Sequence, residues 1–301
     1  MKKVKERQAK NKKPVDTYVR PQDFDKFVSV IEYAKKAVYS ITRIREVSGE
    51  TFVVTLGTGF LIGENKMMTC CHVIESIEPN SQPLARHQNG DVYYLLNKDE
   101  FDKDHYYRLT GRLNKNLYLY PDQDVAVITL SEDFYVIGNK ILQNRDVYLR
   151  PSTKAYPLGS SAAVLGFPEE VDDVKKVAGL YLDKKTNVLR DELIKKRVDR
   201  GVINARYTDP KDNVIKYDFT MAFNPGNSGG PIIDNDCNVI AIARGYRAFP
   251  IRVIEENYTR NKPDGSTENL SQLATIRAIY SIGYSLESCQ KILEDHRIQV
   301  S

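Results

Sequence analysis

The sequence predicts an all-β fold with one helix near each end, and three observations carry that expectation. Short β-branched stretches alternate polar with apolar residues, or run apolar without a break, as in Val38–Ile44, Val125–Leu130 and Val239–Ala243. Clear helical spacing of apolar residues occurs close to the two ends. The length, 301 residues, suits one large domain or two small β-barrels packed face to face.

The chain opens on a basic tail, residues 1–20. It carries a net charge of +6 out of a total of +4, so the remainder stands at −2. Such a composition reads as disordered. Arg20-Pro21 punctuates, and a helix follows over 21–36 with Phe24, Phe27, Val28 and Ile31 on one apolar face. Strands begin at about Ala37. Thr51–Gly63 is a second strand carrying Gly57 and Gly59, and glycines inside a strand mark a close approach by another segment. Residues 75–121 are polar and rich in tyrosine, with Asn89-Gly90 as a turn. Val125–Leu130 reads as a buried strand, and residues 131–155 as a connection. Residues 157–168 are a further strand ending in Gly-Phe-Pro. The charged stretch 169–200 reads as an insertion, either with a helix over Thr186–Val198 or as a surface hairpin. Strands at 201–207 and 214–222 feed the turn Asn224–Pro231, and Pro231–Asp234 and Val239–Ala243 form the next hairpin. A last strand near Ala278–Ile282 leads to a helix capped by Ser285, with Leu286, Cys289, Ile292 and Leu293 inward.

The chemistry centres on Asn224-Pro-Gly-Asn-Ser-Gly-Gly-Pro231. Three glycines and two prolines in eight residues make a tight turn that presents one hydroxyl, Ser228. Acyl transfer needs an exposed nucleophile beside oriented N–H donors, and the donors here are those of Gly226 and Ser228. A base must accompany it. Of the four histidines, His87 and His105 lie in polar surroundings and His296 in a charged C-terminal stretch; only His72 has apolar residues on both sides. No Cys or His pair has metal-ligand spacing beyond Cys71-His72, whose side chains would point apart on a strand, so no metal site is expected.

Three motifs, Gly57-Thr-Gly-Phe-Leu-Ile-Gly63 leading to Met67-Met-Thr-Cys-Cys-His-Val73, then Asp122-Gln-Asp-Val-Ala, then Asn224–Pro231, resemble those of the trypsin/chymotrypsin-fold serine proteases, closest to the bacterial Deg/HtrA type. The resemblance runs over about residues 37–295. It implies two packed antiparallel β-barrels, the first over 37–135 with the His and Asp, the second over 136–301 with the Ser, the insertion 169–200 and a closing helix. It implies His72 as general base, Asp124 as the orienting carboxylate (Asp122 the backup) and Ser228 as nucleophile, with an oxyanion hole at Gly226 and Ser228. The position six before the nucleophile, Ala222, sets the base of the primary pocket, and Arg244 and Tyr246 line its wall. A pocket without a carboxylate implies small-to-medium apolar residues before the scissile bond; Arg244, if inward, implies acidic ones. Trypsins made as zymogens have Asp where this chain has Asn227, so activation by propeptide cleavage is not expected. No organic cofactor is implied, and no PDZ module fits before the chain stops.

Composition narrows the setting. No run of about 18 apolar residues could span a bilayer, and no apolar segment follows the basic start as in a signal peptide. Four cysteines, two of them adjacent, make no disulfide framework, which points to the cytoplasm. Trypsins of animals carry a cysteine after the catalytic His, where this chain has Val73. The expected partners are a protein or peptide substrate and a regulatory protein; nucleic acid enters only as weak binding by the tail. Two other functions fit parts of the pattern. One is a catalytically silent binding or scaffold module on the same fold. The other is an esterase, but Pro231-Ile-Ile continues as a strand where an esterase elbow turns into a helix.

Overall fold

Two seven-stranded sheets organise the protein in a computed structural model that describes residues 21–47, 50–63, 65–74, 92–97, 105–109, 117–130, 147–168, 181–183, 188–190, 196–262 and 266–301. The first sheet holds β1 (Val38–Val47), β2 (Glu50–Gly63), β3 (Lys66–Thr69), β4 (Val92–Asn97), β5 (His105–Leu109), β6 (Leu117–Tyr120) and β7 (Val125–Thr129), in the order β5-β4-β1-β2-β3-β7-β6. All its pairings are antiparallel.

The second sheet contains β8 (Arg150–Pro151), β9 (Ser161–Gly166), β12 (Arg197–Thr208), β13 (Ile215–Phe219), β14 (Pro231–Ile233), β15 (Asn238–Asn261) and β16 (Thr267–Ser285). Its order is β14-β9-β12-β13-β16-β15-β8. Because β14 also pairs with β15, six antiparallel strands close into a barrel, and β8 adds a short parallel edge. Closure removes the exposed strand edges of those six over the paired stretch. The fold is all-β and chymotrypsin-like, with helices α1 (Pro21–Lys35), α2 (Cys71–Ile74) and α3 (Gln290–Asp295).

One apolar core joins the two sheets. Phe60, Met68 and Val127 of the first meet Leu165, Ile233 and Ile242 of the second. α1 seals its edge with Phe27, Ile31 and Ala34, and the Arg200 guanidinium lies 4.3 Å from the Phe27 ring centre. A smaller core built on Tyr217, Phe219 and Ile232 fills the second barrel. At the C-terminus, Ser285 caps a 3-10 turn (Leu286–Cys289) by accepting from the Glu287 N–H, and α3 follows. Leu286, Cys289, Ile292 and Leu293 are all buried, as their spacing predicts.

The structure departs from the sequence reading at four places. Val28, placed on the buried face of α1, is 41% exposed, because the docked stripe runs through Phe27, Ile31 and Ala34 instead. The helix considered over Thr186–Val198 gives way, among the described residues, to the hairpin alternative: β10 (Tyr181–Asp183) pairs antiparallel with β11 (Val188–Arg190), and β12 already starts at Arg197. The strand expected at 278–282 is the end of β16, which pairs with β15 from Ala241–Ser285 out to Asn261–Thr267 as a long two-stranded ribbon. His72 sits on the helical turn α2 rather than on a strand. The basic tail 1–20, the Asn89-Gly90 turn, His87, and much of the 131–155 connection and of the 169–200 insertion lie outside the described residues.

Candidate active site

His72 is placed by the turn that ends β3. The Cys71 N–H donates to the Asp124 carbonyl at 3.2 Å and the Cys71 thiol to the Val125 carbonyl at 2.8 Å, which ties α2 to the start of β7. From the other side, a 3-10 turn at Pro121–Gln123 delivers Asp124 in the left-handed conformation, φ 49° and ψ 41°. Asp tolerates that region better than most residues with a Cβ, and such backbone geometry clusters at functional sites. The bend turns the carboxylate back on His72. Oδ1 accepts from the His72 backbone N–H at 3.0 Å, and Oδ2 lies 2.8 Å from His72 Nδ1.

Asp124 is only 8% exposed. Burial pushes its carboxyl up, but the hydrogen bond and charge of His72, with the charge of Arg244, outweigh burial and hold it below the ordinary value. An ionised carboxylate can only accept, so the proton on the facing ring nitrogen belongs to Nδ1. That leaves Nε2 as the basic nitrogen.

Ser228 is held by sterics and by Thr58. The Asn227 N–H donates to the Asn224 carbonyl at 3.0 Å and the Gly230 N–H to the Asn227 carbonyl at 2.9 Å, closing the turn. At Gly229 (φ 83°) a Cβ would come within 2.2 Å of the Thr58 carbonyl and of Thr69 Oγ1. Thr58, fully buried, donates its N–H to the Ser228 carbonyl at 2.8 Å and its hydroxyl to the Gly226 carbonyl at 2.7 Å. The same hydroxyl accepts from the Phe167 N–H at 3.0 Å, so one threonine on β2 pins the turn to the second sheet. Among the described residues, nothing accepts from the N–H of Gly226 or of Ser228. The Ser228 hydroxyl donates to the Arg244 carbonyl at 3.0 Å.

Arg244, expected on the pocket wall, turns its guanidinium to the carboxylate: Nε makes an ion pair with Asp124 Oδ2. Ala222 is exposed between buried Met221 and Phe223, and Tyr246 is 55% exposed. His72, Asp124, Ser228 and Arg244 are thus linked through direct contacts, whereas Ala222 and Tyr246 touch none of that set by a hydrogen bond or ion pair. His296, read as part of a charged stretch, is buried, and its ring bonds the Tyr120 hydroxyl at 2.8 Å. Cys70 brings a buried thiol beside the pair; its Sγ, a His72 ring nitrogen and an Asp124 oxygen lie within 4.8 Å of one another. A metal ion there would have to displace the Arg244 cation already on that carboxylate, and burial keeps the Cys70 thiol in its protonated form.

Sequence reasoning missed Thr58 as part of this site, and it placed Arg244 on the pocket wall without its contact to Asp124. Thr58 stands in the quoted Gly57-Thr-Gly motif, where its signal was present. Arg244 gives none, because its aim depends on strand register.

A histidine bonded to a buried carboxylate beside a glycine-walled serine turn, on this pair of sheets, defines a serine-peptidase fold. The chain belongs to the trypsin-like peptidase domain family, whose model matches residues 57–242. Among solved structures it is similar to the HtrA-type protease AlgW with decapeptide, at 14% identity and a TM-score of 0.50 over 89% of this chain and 66% of that one. It is also similar to the Rv3671c protease from M. tuberculosis in its active form (15% identity, TM-score 0.46, 90% of this chain and 85% of that one). A third is Deg5 (17% identity, TM-score 0.45, 75% and 87%). The protein is a serine protease, a hydrolase of the trypsin-like class.

Proposed function

We propose that the protein is an endopeptidase that cuts peptide bonds through His72, Asp124 and Ser228. The observation that carries this reading is the His72–Asp124 contact at 2.8 Å, reinforced by the 3.0 Å backbone bond to the same carboxylate. In the mechanism, the Ser228 hydroxyl leaves the Arg244 carbonyl and attacks the substrate carbonyl carbon while its proton passes to His72 Nε2. The oxyanion accepts from the N–H groups of Gly226 and Ser228. Collapse breaks the C–N bond, and His72 returns the proton to the leaving amine. A water then repeats the sequence on the acyl-enzyme. General-base help contributes about 10²–10⁴-fold and each oxyanion donor about 10²–10³-fold.

The substrate is a protein or peptide, and a regulatory protein partner controls access. The four cysteines, all free thiols here, support a reducing compartment, the cytoplasm. Among the described residues, no helix is long and apolar enough to cross a membrane. A second reading, a silent binding module, draws on one observation: the Ser228 hydroxyl is committed to the Arg244 carbonyl. Hydrolysis of a denatured protein, with new termini identified by mass spectrometry, separates the two. Cleavage by wild type that is lost in Ser228→Ala supports the endopeptidase; equal cleavage by both rejects the triad, and none by either favours the module.

A further inference from the structure

We propose that Arg244 is a positioning residue of this site, its guanidinium holding one oxygen of Asp124 while its backbone carbonyl holds the Ser228 hydroxyl. The inference rests on the triad reading above and extends it to a residue that touches two of the three members.

Strand register explains how Arg244 reaches them. Along β15 and β16 the pairing runs Ala243 with Gly283 and then Gly245 with Ile282, so Arg244 is the extra residue of a β-bulge. A bulge frees a residue from strand alternation and re-aims its side chain. At this bulge the carbonyl accepts from Ser228 Oγ at 3.0 Å and the side chain turns to Asp124. The oxygen it meets, Oδ2, is the one that faces His72 Nδ1 at 2.8 Å. Nε is buried and makes no well-directed hydrogen bond, so the contact works through charge rather than through a guanidinium fork.

That distinction fixes the consequences. During turnover His72 becomes an imidazolium, and a second cation already shares its carboxylate. The Arg244 guanidinium and the imidazolium then share one carboxylate oxygen and repel one another, so the Arg244 charge is the quantity to vary. The other groups facing this pair do not offset it. Cys70 is held protonated, chiefly by burial and then by the charge of Asp124. Tyr284 of β16 faces Arg244, and Lys216, 4.6 Å from the Tyr284 ring centre, is itself paired with Asp209 and Asp212 at 2.7 Å each. The Arg244 side chain is 35% exposed, so water screens part of its effect.

The test is the pH dependence of kcat/KM for the full chain, Arg244→Gln and Arg244→Lys, on a peptide that wild type cleaves. Gln removes the charge from a partly exposed position without opening a cavity. It should move the midpoint of the acid limb up by roughly half to one pH unit, through kcat with KM little changed. Lys keeps the charge and should leave the limb in place. An unmoved limb in Gln, or a limb moved equally by Lys and Gln, overturns the proposal; a purely structural role would lower the melting temperature and leave the limb alone. If Gln fails to fold, a limb displaced in Lys still overturns it. Ser228→Ala and His72→Ala keep the two claims apart. Activity surviving in either rejects the triad, whereas inactive controls beside a wild-type profile in Gln reject only the role of Arg244.

Discussion

The Ser228 turn and the Arg244 bulge lie next to one another, yet opposite kinds of force hold them. At the turn, backbone crowds backbone: a Cβ at Gly230 would sit 2.4 Å from the Leu165 carbonyl, and one at Gly57 2.7 Å from the Ser228 carbonyl. At the bulge there is room, with nothing within 4 Å of a Cβ at Gly245, and a charge contact does the holding. Steric walls tolerate no variation in shape. An ion pair tolerates a change of shape but not a change of charge. Ser228, the proposed nucleophile, is thus fixed by geometry and the Asp124 carboxylate tuned by electrostatics.

The sharpest break of that comparison would be evidence that the two sides work independently. His72→Ala and Ser228→Ala should each remove nearly all activity, at least about 10³-fold, and the double variant should be little worse than either. Steady-state kinetics on one peptide decides it; losses that add would separate the residues.

Next comes the steric side. Gly229→Ala places a methyl against Thr58 and Thr69 at positive φ, and should cost about 3 kcal/mol or more in urea unfolding, with activity lost. A variant of normal stability would show the turn to be looser than its contacts imply. Thr58→Val keeps the shape but strands the Gly226 carbonyl and the Phe167 N–H, for roughly 1–3 kcal/mol. Because the turn itself shifts, kcat should fall in Thr58→Val more than KM rises.

This contrast also marks how far the sequence could be read. The Ser228 turn was legible because its constraint is local: glycine and proline announce a shape. His72 stood out by the apolar residues on both sides of it, and Asp124 only through the resemblance of Asp122-Gln-Asp-Val-Ala to the family motif. The bulge was not, since Ala243-Arg-Gly245 looks like ordinary alternation and the extra residue exists only relative to Gly283–Ile282 on β16. The ribbon of β15 and β16 was hidden for a related reason: pairing between residues 241 and 285 is set by two segments together. The stretch 186–198 misled because Leu189, Leu193 and Val198 match a helical spacing, while pairing with β9 places Val198 on a strand opposite Leu165.

On the electrostatic side, acid should reduce stability partly through Asp124. Its folded carboxyl is held below the ordinary value near 3.8, so its stabilising contribution is complete above that value and is lost as pH falls through the lower folded one. Unfolding free energy should therefore decline with falling pH below about 4, and less steeply in Asp124→Asn. Equal slopes would mean that the carboxylate contributes nothing there. The smallest effect concerns screening. Because Arg244 is partly exposed, the difference in acid limb between wild type and Arg244→Gln should shrink at about 1 M salt, where the Debye length is about 3 Å.

The most direct measurement of the central claim is covalent. Intact protein treated with a fluorophosphonate at neutral pH should gain one adduct, mapped by mass spectrometry to Ser228. Its rate of formation should collapse in His72→Ala and fall strongly in Asp124→Asn, with Ser228→Ala unlabelled. An adduct on another residue, such as Cys70, or labelling as fast in His72→Ala as in wild type, would contradict the assignment of His72 and Ser228 as base and nucleophile.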